Sequence, residues 1–153
     1  MGCPQTTRSH RTLGPRMYKK IMVPVDLSHR ERLEKAVATA ADLSKCYKVP
    51  AEMVAVTATA PGSVARNPEE LADKLARFAA AESAKHGVEF GSHAITSPDP
   101  AIDLDERLGR EAHEIGADLI VMGSHVPGFA EHLFASNAGY LASHAEISVF
   151  VVR

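Results

Sequence analysis

Residues 118–138 carry the groups best placed to do chemistry. Leu119-Ile120-Val121-Met122 is an unbroken apolar run, and Gly123, Ser124 and His125 follow it directly. A loop with Pro127 and Gly128 then leads to Ser136, Asn137 and Ala138. The run has the character of a parallel strand covered on both faces. Gly123 ends it where a backbone can approach a ligand closely. Ser136 suits a helix N-cap, which leaves the unpaired N–H groups of the first turn facing the loop. A strand end, a loop and a helix N-terminus together can hold a phosphate. The same pattern also describes an ordinary strand-to-helix connection, and the spacing alone leaves both readings open.

A second strand end offers a carboxylate. Ile21, Met22, Val23 and Val25 read as a strand over 20–25, with Pro24 near its end and Asp26 just after it. Proline suits a strand terminus better than a strand centre. Asp26 is a possible ligand acceptor and equally a turn residue or helix cap.

Several chemistries are excluded. The chain has no Gly-x-x-x-x-Gly-Lys followed by Ser or Thr, and no Gly-x-Gly-x-x-Gly after the first strand. A Gly-x-Ser-x-Gly elbow is also missing, so a serine hydrolase has little support. Among the eight histidines, His125, His132 and His144 are spaced by seven and twelve residues. That fits no common ligand pattern, and no cysteine joins them, so no metal site is expected.

Composition sets the class. The chain of 153 residues is long enough for one domain with a real core, and at 45% hydrophobic it is not disordered throughout. Three arginines (Arg8, Arg11, Arg16) and no acids fall in residues 1–16; the other 14 basic residues stand against 19 acids. An acidic body argues against a nucleic-acid binder. Two cysteines, Cys3 and Cys46, form no Cys-x-x-Cys, which fits a reducing cytoplasm and an inert, partly buried Cys46. No stretch is long and apolar enough to span a membrane, and the N-terminus lacks the apolar core of a secretory signal.

The elements that must position these groups alternate. Residues 1–16 show no periodicity and read as a disordered extension; the folded domain is expected over 17–153. Ser28, with Glu31 three residues on, predicts a capping box for a first helix running to about Lys45. Met53 to Val56 reads as a second strand. Asn67-Pro68-Glu69-Glu70 is a strong helix start, with Leu71, Leu75 and Phe78 buried and Gly87 as the stop. Val88 to Ile95 is the third strand. Asp99-Pro100 opens a helix with Leu104, Leu108, Ala112 and Ile115 inward, and Gly116 ends it. The strand 119–122, a short helix over 136–143 and a final strand Ser148 to Val152 complete the chain. This order predicts a parallel sheet with helices on both faces. Ligands of such sheets bind beyond the strands' carboxyl ends, where strand order reverses.

These residues resemble the universal stress protein family (the UspA-like domain) from Tyr18 to Arg153. The likeness rests on Ile21-Met22-Val23-Pro24-Val25-Asp26, on Ala117 to His125, on Ser136-Asn137-Ala138 and on His144 to Arg153. The short Ser-His-x-Pro loop looks most like the F-type bacterial branch. The resemblance implies a Rossmann-like α/β fold, a five-stranded parallel sheet of order 3-2-1-4-5. It implies a cytoplasmic, nucleotide-binding stress-response protein that takes ATP, possibly with Mg²⁺, and works as a homodimer. It carries adenine-side contacts to Pro24, Asp26 and Val56, with Asp26 accepting from adenine or ribose and Val56 offering backbone. It carries phosphate-side contacts to Met122, Gly123, His125, Ser136, Asn137 and Ala138.

Some residues depart from the family pattern. Val126 stands where relatives have glycine or arginine, Ala135 replaces a glycine, and Ser143 replaces a frequent arginine. No Lys or Arg lies between Gly123 and Ser143. A missing charge-assisted bond is worth about 1.5–3 kcal/mol, which weakens or abolishes ATP binding. The alternative is a dimeric interaction module that binds no ATP or another small ligand. No residue is clearly a general base, His125 being the best candidate, so at most slow ATP hydrolysis or self-phosphorylation is expected. The homodimer is expected through Ser148–Val152, an apolar edge strand that a second copy would cover.

Overall fold

A computed structural model of the chain describes residues 17–58, 61, 64–123 and 147–153, without the side chains of 100–103 and 105. The expectations for residues 1–16 and for the helix over 136–143 lie outside the described residues.

The elements are β1 (Ile21–Pro24), a 3-10 turn (Leu27–Arg32), α1 (Glu34–Tyr47), β2 (Ala51–Ala58), α2 (Pro68–His86), β3 (Phe90–Ser97), α3 (Pro100–Glu114), β4 (Leu119–Gly123) and β5 (Ser148–Val152). The strands form one sheet of order β3-β2-β1-β4-β5, every pairing parallel. This is the expected Rossmann-like α/β arrangement.

The central strands explain their own sequence. Ile21, Met22 and Val23 have no exposed surface because helices cover both faces of the sheet. Ile21 and Val23 join one core with Val37, Met53, Leu75 and Val121. Met22 turns to the other core, with Val54, Leu104, Leu108, Ala112 and Ile120. Each fully buried side chain of this kind contributes about 1.5–3 kcal/mol relative to an exposed one.

α2 forms at the signals read for it. Asn67 Oδ1 accepts from the Glu70 N–H at 2.8 Å, and the Glu70 carboxylate accepts from the Arg66 N–H at 2.8 Å. The helix ends at Gly87, whose φ of 65° is the left-handed conformation that favours glycine.

Three local expectations are corrected. Ser28 does not cap a helix through Glu31: Asp26 is the cap, its side chain accepting from the Ser28 N–H. The chain leaves β1 in the tight 3-10 turn, so α1 starts only at Glu34 and has no side-chain cap. Cys46 is exposed rather than partly buried, because α1 buries Ala36, Val37, Ala40, Ala41 and Ser44, a face that Cys46 does not share. β2 lengthens to eight residues and β3 shifts two residues on from the expected Val88–Ile95, since they pair with one another from Ala51–Phe90 to Ala58–Ser97.

The amino ends of the strands are tied together. The Asp118 carboxylate accepts from the Lys19 N–H at 2.9 and 3.0 Å and from the Lys20 N–H at 3.2 Å, joining the start of β1 to β4. Lys20 pairs with Glu52 across the same end.

Candidate functional site

The strand order reverses between β1 and β4, and the carboxyl ends of these two strands differ from the rest of the sheet. β1 pairs with β2 along its whole length, up to Pro24–Val54. Its pairing with β4 stops at Met22–Ile120. β4 pairs with β5 as far as Gly123–Val152. Among the described residues, the β1–β4 pairing is the one that stops before either of its strands ends.

Proline accounts for it. The N–H groups of Ile21 and Val25 donate to Pro50 and Val54 carbonyls, at 3.0 and 2.8 Å. Odd-numbered N–H groups of β1 thus face β2, and even-numbered ones face β4. Position 24 is the next one due to donate to β4, and Pro24 has no N–H to give. The seam loses its rung there, and the two strands part.

The same alternation aims other groups at the gap. The Val54 carbonyl accepts from β1, so Val56, two residues further on, presents its peptide groups beyond the end of β1. The Leu119 N–H turns to the Lys20 carbonyl on β1, so Gly123, four residues on, also turns its peptide to the β1 side. A Cβ built on Gly123 would meet no atom of the described residues within 4 Å, and no left-handed φ calls for glycine at this position. Met122 is 1% exposed and belongs to the core that contains Met22, Val54 and Ile120. Pro24 is buried too.

Asp26 follows the carboxyl end of β1, and its carboxylate is already engaged. Oδ1 accepts from the Ser28 N–H at 2.9 Å and from the Ser28 hydroxyl. Oδ2 lies 3.1 Å from His29 Nδ1. The Asp26 side chain is 14% exposed and that of His29 34%. The structure thus places Pro24, Asp26, Val56, Met122 and Gly123 at or near the carboxyl ends of the neighbouring strands β1, β2 and β4. His125, Ser136, Asn137 and Ala138 lie outside the described residues. The sequence reading passed over His29; the signal for it was a histidine three residues after an aspartate, at a strand end. No group of three or more metal-ligating side chains occurs among the described residues.

Comparisons with known proteins extend this geometry. The model of the universal stress protein family matches residues 17–153. The universal stress protein G of Shigella flexneri is 31% identical over 148 residues, covering 90% of this chain and 100% of that one. Its name carries a G, where the short loop here looked F-type. The crystal structure of a universal stress family protein from Burkholderia pseudomallei is similar at 29% identity and a TM-score of 0.62, over 89% of this chain and 96% of that one. The structure of the universal stress protein from Archaeoglobus fulgidus in complex with dAMP matches at 23% identity and a TM-score of 0.63, over 89% of this chain and 98% of that one.

Proposed function

This chain belongs to the universal stress protein family, and from that premise we propose that it is a stress-response protein that binds ATP in the crevice between β1 and β4. The observation that carries the proposal is the β1–β4 seam, with Pro24 withholding its rung and no described atom within 4 Å of a Cβ built on Gly123. A glycine that neither a neighbour nor its own φ demands suits a backbone that a ligand approaches closely. The Archaeoglobus fulgidus relative, whose structure is a complex with dAMP, supports an adenine nucleotide as the occupant.

In this reading Asp26 and Val56 meet the adenosine half, Val56 through its backbone. Gly123, His125, Ser136, Asn137 and Ala138 meet the phosphates, over a floor of Met122 and Pro24. Mg²⁺ would neutralise phosphate charge that no Lys or Arg between Gly123 and Ser143 offsets. Turnover, if any, falls far below the about 1–10³ s⁻¹ of ordinary enzymes. Isothermal titration with ATP, with and without Mg²⁺, tests the proposal: saturable heat at micromolar to millimolar ATP is expected, and its absence would end it.

Assembly forms the second half. β5 is an edge strand with Phe150 45% and Val151 39% exposed, whereas the opposite edge, β3, exposes Gly91, Ser92 and His93. The apolar edge suits pairing with its twin about a two-fold axis. The proposal is accordingly a homodimer through Ser148–Val152, acting in the cytoplasm.

One observation favours the rival, an interaction module without ATP. Three of the roughly four lone-pair positions of the Asp26 carboxylate are taken by Ser28 and His29. Nucleotide carried through purification would decide against that rival.

A further inference from the structure

A cleft of about 560 Å³ lies at the amino end of the sheet, where α1 passes into β2 and α2 into β3. Its volume falls in the range of ligand pockets. Lys45 and Lys48 line it from the end of α1, Pro50 from the start of β2, and Val88 and Glu89 from the approach to β3. Lys20 and Glu52 also line it and pair with one another. Elsewhere Lys74 is paired with Glu70, and Lys85 with Glu34. Lys45 and Lys48 are exposed and have no acidic partner among the described residues. The two stand against Glu89 alone. The cleft is therefore positive, on a body whose residues 17–153 carry 14 basic and 19 acidic side chains.

The backbone holds Lys48 in a conformation that lysine disfavours. α2 and α3 stop at Gly87 and Gly116, with φ of 65° and 71°. α1 stops at Lys48, with φ of 55°, the one non-glycine residue of positive φ among the described residues. A Cβ opposes this conformation, and glycine adopts it freely. The surroundings enforce it. The Ser44 carbonyl accepts from the Lys48 and Val49 N–H groups. The buried Ser44 hydroxyl donates to the Val49 carbonyl at 2.7 Å. The Ile21 N–H then ties the Pro50 carbonyl to β1. The negative pole of α1 accounts for a cation in its last turn, such as Lys45. It does not account for a lysine where the other two helices have glycine. A strained residue that its surroundings over-determine points to a use for its side chain.

The helix end also selects the ligand. The last carbonyls of a helix lack intrahelical donors. A nucleic-acid phosphate brings charge and no donor, and the acidic body repels a long polyanion. An acidic peptide brings carboxylates for the two lysines, N–H groups for the carbonyls and apolar side chains for Pro50 and Val88. We propose that this cleft docks an acidic peptide segment of a partner protein, at the end of the sheet opposite the nucleotide crevice.

Fluorescence anisotropy with a short fluorescein-labelled peptide of alternating glutamate and leucine tests it. Wild type is expected to bind this peptide, less tightly as salt rises from about 50 to about 300 mM. It should not bind the same peptide with lysine in place of glutamate. Lys48→Gly should raise Tm, because the left-handed strain is relieved, and weaken binding about threefold. Adding Lys45→Ala should bring the loss to about tenfold. Lys74→Ala, away from the cleft, should leave the affinity unchanged. Absence of binding by wild type overturns the docking site. So does an affinity that the double variant retains, or one that Lys74→Ala weakens equally. A Lys48→Gly variant with Tm no higher than wild type removes the strain and overturns the argument built on it. Binding of a uridine oligonucleotide in place of the acidic peptide overturns the assignment as well.

Discussion

The two ends of the sheet are built from the same five strands and treated in opposite ways. At the amino end, backbone donors and charges are matched: Asp118 takes the N–H groups of Lys19 and Lys20, and Lys20 takes Glu52. At the carboxyl end the β1–β4 seam is cut short at Pro24, and Gly123 and Val56 turn peptide groups into the gap. The first end spends its polar groups on stability. The second leaves the β1–β4 rung at Pro24 unmade, which suits a binding site. If this contrast is right, substitutions at the two ends should separate stability from ligand binding.

The largest expected effect is on assembly. Phe150→Asp with Val151→Lys should convert a dimer into a folded monomer, read by light scattering. Val152 is the wrong partner for that test, being 8% exposed and part of the core; a lysine there would bury a charge and unfold the chain. A wild type that is already monomeric at micromolar concentration would remove the proposed edge contact.

Asp118→Ala comes next and attacks the amino end. It removes the acceptor of one exposed and one half-buried backbone N–H and should cost about 1 kcal/mol in urea unfolding. Affinity for ATP should be unchanged in the protein that remains folded. Gly123→Ala is its mirror at the carboxyl end. With no described atom near the new methyl, stability should move by no more than about 0.5 kcal/mol, while ATP affinity falls by about tenfold or more. Equal effects of both variants on both properties would dissolve the contrast.

The smallest effect is a control away from both ends. Bonds from Lys74 and the Arg66 N–H hold the Glu70 carboxyl below its ordinary value. A lowered acid contributes stability above its unfolded value and loses it as the pH falls through the folded one. Glu70→Gln should therefore lower Tm slightly at neutral pH, and the gap should close in strong acid. A gap that widens in acid would contradict the sign.

Much of this was legible in the residues. Ile21–Val25 and Leu119–Met122 read as buried strands because both of their faces are covered. Asn67-Pro68 and Gly87 marked α2 because a cap, a fixed φ and a left-handed stop are local. The cap on the turn after β1 was misassigned since Asp26 and Ser28 are both good caps two residues apart, and only the path of the chain chooses between them. His29 was passed over because its role depends on a turn that folds it back onto Asp26. Within the edge strand Ser148–Val152 the sequence did not single out Val152 as a core residue, because alternation does not say which face a neighbour covers. Strand order came from the family likeness, since periodicity places strands and not their neighbours.

The contrast between the two ends can be measured in one experiment. Adding ATP to ¹⁵N-labelled protein should shift the amide signals of Asp26, Val56 and Gly123 and leave those of Lys19, Lys20 and Asp118 in place. Shifts concentrated at the amino end, or no shifts at millimolar ATP, would contradict the account.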